Sequence, residues 1–376
     1  MPYKPLNNDN PTSYLSDVEV GLSSSAKRKR RQPVLVTGGA GFIGINMVKR
    51  LLEEGLRVIV LDNLSRAGAE TNLSYLREHY DGQVEVVVDD IRNRPVVDEL
   101  VSRVDMVFHF ASQVAVTSSL EQPMEDFKTN CAGTLNLLEA VRRQETPPGF
   151  LYTSTNKVYG SLEEIAMAEE PDRYRPAEES AVRGIDETRA LNFHTPYGCS
   201  KGAAHQYVLD YARTYKIPAV VFRMSCIYGP HQLGTEDQGW VAHFTRQILQ
   251  NRDITIYGNG KQVRDLLYID DLVKAMMIVY RNPRSLAGEV FNIGGGPDNA
   301  VSVLDVIETV SQFVNATPDV RYGPWRQGDQ LYYVSNTARF RRETGWTTRV
   351  RWEEGIRRLY DWMTVAAERM PVEANV

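Results

Sequence analysis

Tyr197 and Lys201 stand four residues apart in Thr195-Pro196-Tyr197-Gly198-Cys199-Ser200-Lys201. On a helix that spacing puts both side chains on one face, and Pro196 suits a first helical turn. A phenol titrating near pH 10 is a poor base at neutral pH. An ammonium beside it favours the phenolate and brings it toward acid–base work on a hydroxyl. A second polar cluster, Thr153-Ser154-Thr155-Asn156-Lys157-Val158-Tyr159-Gly160, offers Thr155 as a hydroxyl that could hydrogen-bond the reacting oxygen.

A third group of residues indicates what such a pair would work with. Val34-Leu35-Val36-Thr37 runs into Gly38-Gly39-Ala40-Gly41-Phe42-Ile43-Gly44, glycines spaced GxxGxxG where an apolar run gives way to a helical pattern. Gly38 permits the tight turn, Gly41 lets backbone N–H groups approach a pyrophosphate, and Gly44 allows close helix–strand packing. The helix start at Phe42 and Ile43 then faces the negative charge. Asp62, followed by Asn63, falls about twenty residues on, where a carboxylate accepts the ribose hydroxyls of NAD and repels a 2′-phosphate. Asp90 and Ile91 could meet the adenine amino group and ring face. Phe110, Ala111 and Ser112, with Thr153, bring small or apolar residues where the chain must pass a dinucleotide. Its positive nicotinamide ring would further favour the Tyr197 phenolate.

These residues need a frame that collects strand ends. Apolar runs at 34–37, 57–61, 84–88, 105–110, 150–153 and 219–223 read as strands covered on both faces. Helical periodicity at 43–54, 94–103, 126–144 and 197–215 alternates with them. Alternation of this kind implies a Rossmann-like, doubly wound parallel sheet in an α/β fold. After Ser225 the rhythm becomes irregular. Residues 226–265 and 312–365 are expected to form a smaller C-terminal substrate-binding lobe, with 266–311 returning to the dinucleotide-binding domain of 33–225. Residues 1–32, ending in the basic run Lys27-Arg28-Lys29-Arg30-Arg31, read as an unfolded tail.

The 376-residue chain carries 43 Lys+Arg against 48 Asp+Glu, so its net charge of −5 does not suit a nucleic-acid binder. Its 42% apolar content is enough for a sizeable core, and no run approaches the length of a membrane span. Cys131, Cys199 and Cys226 have no metal-ligand spacing, which argues against a zinc site or disulfide framework and suits a reducing cytoplasm.

With these motifs in place, residues 33–365 resemble the extended short-chain dehydrogenase/reductase family of nucleotide-sugar-modifying enzymes, the NAD-dependent epimerases and dehydratases. The resemblance rests on TGGAGFIG at 37–44, Asp62, Asp90-Ile91 and the Tyr197/Lys201 pair. It implies NAD as cofactor, a nucleotide-sugar substrate, and a homodimer or homotetramer formed through helices near 126–144 and 197–215. Residues 154–160, 193–202 and 237–241 are most similar to those of members that invert C2 of a CDP-linked 3,6-dideoxyhexose. The resemblance further implies that Arg264 and Arg326 bind the diphosphate, that Asp329 supports them, and that Gln238 and Trp240 approach the base. Asn156, Lys157 and Cys226 complete the expected substrate site, Cys226 standing where many relatives carry Asn.

A 4,6-dehydratase needs an acid–base pair beside the catalytic hydroxyl, and its relatives place Asp-Glu there. This chain has Asn156-Lys157, which favours an epimerase. The same machinery in a different binding register would give a UDP-sugar 4-epimerase, while a non-catalytic NAD-binding scaffold would have no use for Tyr197.

Overall fold

The run Val34–Thr37 is buried at every position, so the strand it forms must be covered on both faces. In the computed structural model, which describes residues 32–369, it is an interior strand of a seven-stranded parallel sheet. The strands are β1 (Val34–Thr37), β2 (Val58–Asp62), β3 (Val84–Val88), β4 (Met106–His109), β5 (Gly149–Thr155), β6 (Ala219–Met224) and β7 (Val290–Ile293). Their order across the sheet is β7-β6-β5-β4-β1-β2-β3. Val34 pairs with Val58 on one side and with Met106 on the other. The chain therefore reverses its direction of travel across the sheet at β1, and a crevice opens at the carboxyl ends of β1 and β4.

Alternate side chains feed two cores. Val34, Val36, Val58, Val60, Phe108 and Phe222 pack with the helix Phe42–Glu53 on one face. Leu35, Ile59, Val107, Phe150 and Val221 pack on the other, against helices that include Gly133–Arg142 and Thr195–Tyr215. Each fully buried aliphatic side chain contributes about 1.5–3 kcal/mol, which fixes the register of the strands and so the position of their ends.

Three elements differ from the sequence expectation. Strand β3 lies at the sheet edge, where only part of its surface is covered, and Val88 is 55% exposed. A helix at Ala69–His79 has too weak an apolar stripe to be read from its residues. The expected single helix over 126–144 is broken into Pro123–Phe127, a π-helical turn Lys128–Ala132, and Gly133–Arg142. The wider turn brings Asn130 round to clamp Gln113, accepting from its N–H at 2.8 Å and donating to its carbonyl at 3.0 Å.

After β6 the chain builds the lobe. Strand Val263–Tyr268 pairs with Cys226–Tyr228 and Tyr332–Tyr333 in parallel and with Ala300–Ser302 antiparallel. Strands Ile254–Tyr257 and Val320–Gly323 form a separate pair. Helix Ile269–Arg281, which packs beside Phe42–Glu53, and β7 return to the main sheet, as does helix Ala338–Thr344. Ala300–Ser302 pairs with Val263–Tyr268, and helix Val303–Val314 packs against helices Trp240–Leu249 and Trp352–Arg369. The basic N-terminal run lies outside the described residues. Among the described residues no helix is long and apolar enough to cross a membrane, and no His/Cys/Asp/Glu group is arranged to hold a metal.

Candidate active site

The turn after β1 is fixed by close packing. Gly38 has φ +68°, and a Cβ there would lie 2.6 Å from the Ala111 nitrogen. A Cβ on Gly44 would lie 2.1 Å from the Gly38 carbonyl oxygen. The helix Phe42–Glu53 starts at Gly41 with no side chain capping it, so its first N–H groups face the crevice without a side-chain partner. Asp62, at the end of β2, accepts N–H bonds from Ala40 at 3.0 Å and Leu64 at 2.9 Å. Burial pushes its pKa up against those bonds. Uncapped N–H groups, a carboxylate about twenty residues on and a turn without room for side chains fit a dinucleotide.

The crevice is one cavity of about 990 Å³, large enough for two ligands of nucleotide size. All the residues singled out from the sequence line it. The dinucleotide side has Gly38, Gly41, Phe42, Ile43, Gly44, Asp62, Asn63, Asp90, Ile91, Phe110, Ala111, Ser112 and Thr153. Across from them stand Thr155, Asn156, Lys157, Tyr197, Lys201, Cys226, Gln238, Trp240, Arg264, Arg326 and Asp329. Two of them use their side chains partly elsewhere. Asp90 accepts from Asn63 at 2.8 Å and from Arg92, and the Ile91 side chain packs closely on Gly133.

Tyr197 and Lys201 share a face of the helix Thr195–Tyr215, with Pro196 in its first turn. The Tyr197 N–H donates to the Ser119 hydroxyl at 3.2 Å. Burial pushes the phenol up to about 12, and the Thr155 hydroxyl beside it holds it back. Asp126 adds to the rise and Arg66 opposes it. Lys201 is buried one helical turn further on. Its Nζ lies over the Tyr152 ring, 4.4 Å from the centroid, and burial pulls it down to about 7, with Asp126 pulling the other way. Asp126, itself 1% exposed, accepts from Ser200 and from Asn130.

The lobe side is cationic. Asp329 Oδ1 accepts from Arg264 at 2.6 Å and from Lys157 at 3.4 Å, and Lys157 also donates to the Gly328 carbonyl at 3.1 Å. Burial would raise Asp329, but the two cations outweigh it and hold its carboxyl below the ordinary range. Two positive groups on one carboxylate leave a surplus charge facing the cavity, as a diphosphate requires. Arg326 lies 3.4 Å from Asp237 and 4.0 Å from the centroid of the Tyr257 ring. Trp240 Nε1 donates to Cys226 Sγ at 3.4 Å, and burial raises the thiol.

Sequence reasoning missed Arg66, Asp126 and Asn130. Arg66 sits in a polar loop without periodicity, and nothing in the chain marks it. Asp126 and Asn130 are four apart on a helical segment, a spacing that could have drawn attention to them.

A model of the NAD dependent epimerase/dehydratase family matches residues 34–294. A CDP-paratose 2-epimerase of Salmonella typhi is 42% identical over 338 residues, which cover 88% of this chain and 98% of that protein. The solved UDP-glucose 4-epimerase of Thermus thermophilus in complex with NAD is 31% identical, with a TM-score of 0.74 over 89% of this chain and 99% of that one. The UDP-glucose 4-epimerase of Thermotoga maritima with UDP-glucose is 30% identical, with a TM-score of 0.75 and the same coverage.

Proposed function

The chain belongs to the NAD dependent epimerase/dehydratase family, and from that premise we propose that it is an isomerase inverting C2 of a CDP-linked 3,6-dideoxyhexose, interconverting CDP-paratose and CDP-tyvelose. The observation that carries this reading is Tyr197 beside Thr155, a hydroxyl pair in which Thr155 is followed along the chain by Asn156-Lys157 and not by carboxylates. The likeness over nearly the whole chain to a CDP-paratose 2-epimerase supports the substrate.

NAD, held by the Gly38–Gly44 turn and Asp62, supplies a hydride acceptor and later returns the hydride. Tyr197 takes the proton from the ring hydroxyl as the carbon is oxidised, and gives it back as the carbon is reduced. Thr155 fixes the oxygen that gains and loses that proton. Lys201 holds the cofactor ribose and brings positive charge toward the phenol. Arg264, Lys157 and Arg326 keep the diphosphate in place while the keto sugar turns its other face, so reduction inverts the centre. Gln238 and Trp240 lie on the base side.

A second reading, inversion of C4 in a UDP-sugar, uses the same groups and is supported by the likeness to the Thermotoga maritima enzyme. Incubation with CDP-, UDP-, GDP- and dTDP-sugars, followed by proton NMR, separates the two. The expected result is a C2-inverted CDP-sugar formed without added cofactor and without solvent deuterium at that carbon. Loss of water to a 4-keto-6-deoxy sugar, or a need for stoichiometric NAD, would overturn the epimerase reading.

An exposed apolar face supports an oligomer. Leu120, Met124 and Phe127 are exposed on Val116–Glu121 and Pro123–Phe127, and Tyr207 and Tyr215 on the helix that carries Tyr197. A second copy of the chain covers this face as a homodimer, or as part of a dimer of dimers. Light scattering at micromolar concentration should give a dimer or tetramer, and Phe127→Glu should reduce it to monomer. A monomeric wild type would contradict the assignment. The unpaired thiols of Cys131, Cys199 and Cys226 fit a cytoplasmic location.

A further inference from the structure

The two sides of the cavity are joined at the mouth by a second set of contacts. The lobe segment that carries Gln238 leaves Tyr228 and is pinned at once to the dinucleotide turn. Asn46 Nδ2 donates to the Phe42 carbonyl at 2.8 Å and to the Pro230 carbonyl at 2.9 Å. Asn72 Nδ2 donates to the Ala40 carbonyl at 3.0 Å and to the His231 carbonyl at 3.4 Å. Each amide thus holds one carbonyl of the glycine-rich turn and one of the lobe segment. Farther along, Leu233 packs on the loop after β2, where a Cβ on Gly68 would lie 2.0 Å from Leu233 Cδ1. At the tip, the Arg66 guanidinium donates to Gln238 Oε1.

We propose that the loop 63–68 and the segment 230–239 form a clasp over the dinucleotide, closed by the Arg66–Gln238 hydrogen bond, with Arg66 a positioning residue that retains the cofactor and aligns Gln238 toward the substrate base. The inference rests on the reading of the cavity as a dinucleotide and nucleotide-sugar site. Its chemical logic lies in the reaction cycle. An epimerase must give back what it takes, so a cofactor lost between the two half-reactions would strand a keto sugar. The Asn46 and Asn72 anchors hold the base of the segment, which leaves the Arg66–Gln238 bond as the part that can open at the rim.

The test measures release directly. Protein stripped of nucleotide is loaded with NADH, and the fall in bound NADH fluorescence is followed after addition of excess NAD+. Arg66→Met keeps the apolar stem and removes the donor, while Gln238→Leu removes the acceptor. Each should speed release roughly tenfold, the effect of losing one charge-assisted hydrogen bond. The double variant should be no faster than either single one, because both remove the same contact. The melting temperature of the stripped protein should hardly change, since the contact lies at the exposed rim. Release rates equal to wild type, or increments that add in the double variant, would overturn the clasp and leave the epimerase reading standing. A wild type that binds no NADH would overturn both.

Discussion

Tyr197→Phe is expected to lower turnover by on the order of 10²–10⁴, the range for loss of a positioned general acid–base group. The substitution removes one oxygen from a side chain that is 9% exposed and keeps its ring. Burial holds the phenol near 12, with the Thr155 hydroxyl against it. The carboxylate of Asp329 is committed to Arg264 and Lys157 and does not replace the phenol. Binding should be spared, because Arg264, Arg326 and the glycine-rich turn hold their ligands through other atoms. The NMR assay for the inverted sugar, run beside NADH titration and binding of the nucleoside diphosphate alone, separates the two effects. Turnover close to wild type, or a loss confined to binding, would remove Tyr197 from the role assigned to it.

The sequence made the dinucleotide half of this molecule legible for a physical reason. A strand buried on both faces must be apolar throughout, and a turn that admits a pyrophosphate has no room for side chains, so Val34–Thr37 and Gly38–Gly44 are written in residue types. The Tyr197/Lys201 spacing was readable because helix geometry turns i and i+4 into neighbours. What residue patterns could not express is contact between distant segments. Asp126, Asn130 and Ser200 meet only because a π-helical turn rotates Asn130 toward Gln113 and Ser200. Arg66 meets Gln238 only because two loops from opposite sides of the sheet are held together by Asn72 and Leu233. The helix Ala69–His79 was missed for a related reason, its stability coming from a few buried residues, among them Leu73 and Leu76, more than from amphipathic pattern. Burial, which residue spacing does not express, sets the state of Lys201. An ammonium placed over the Tyr152 ring loses hydration, and its own proton becomes labile near neutral pH.

That lability makes Lys201→Met a test of both stability and catalysis. In the native protein burial lowers the Lys201 pKa from 10.5 to about 7, with Asp126 resisting the shift. In the unfolded chain the group titrates near 10.5, so between these values the unfolded state holds a proton that the native state lacks. Native stability therefore rises with pH across that window, and the full penalty of burying the ammonium is felt below about pH 7. Methionine fills similar volume without charge. Lys201→Met should raise stability at pH 6 to 7 by about 1–3 kcal/mol, less than the shift alone implies because Asp126 loses its nearby cation. The gain should shrink as pH approaches 10, where wild-type Lys201 is neutral in the fold. Turnover should move the other way, falling on the order of 10² or more at neutral pH. It should recover as pH rises, because without a neighbouring ammonium more alkali is needed to draw the proton from Tyr197, whose pKa burial already raises. Urea titrations at pH 6, 7, 8 and 9 and a pH–rate profile measure the two halves independently. A variant less stable than wild type at pH 6, or equally active at pH 7, would mean that Lys201 is not the buried, functional ammonium described.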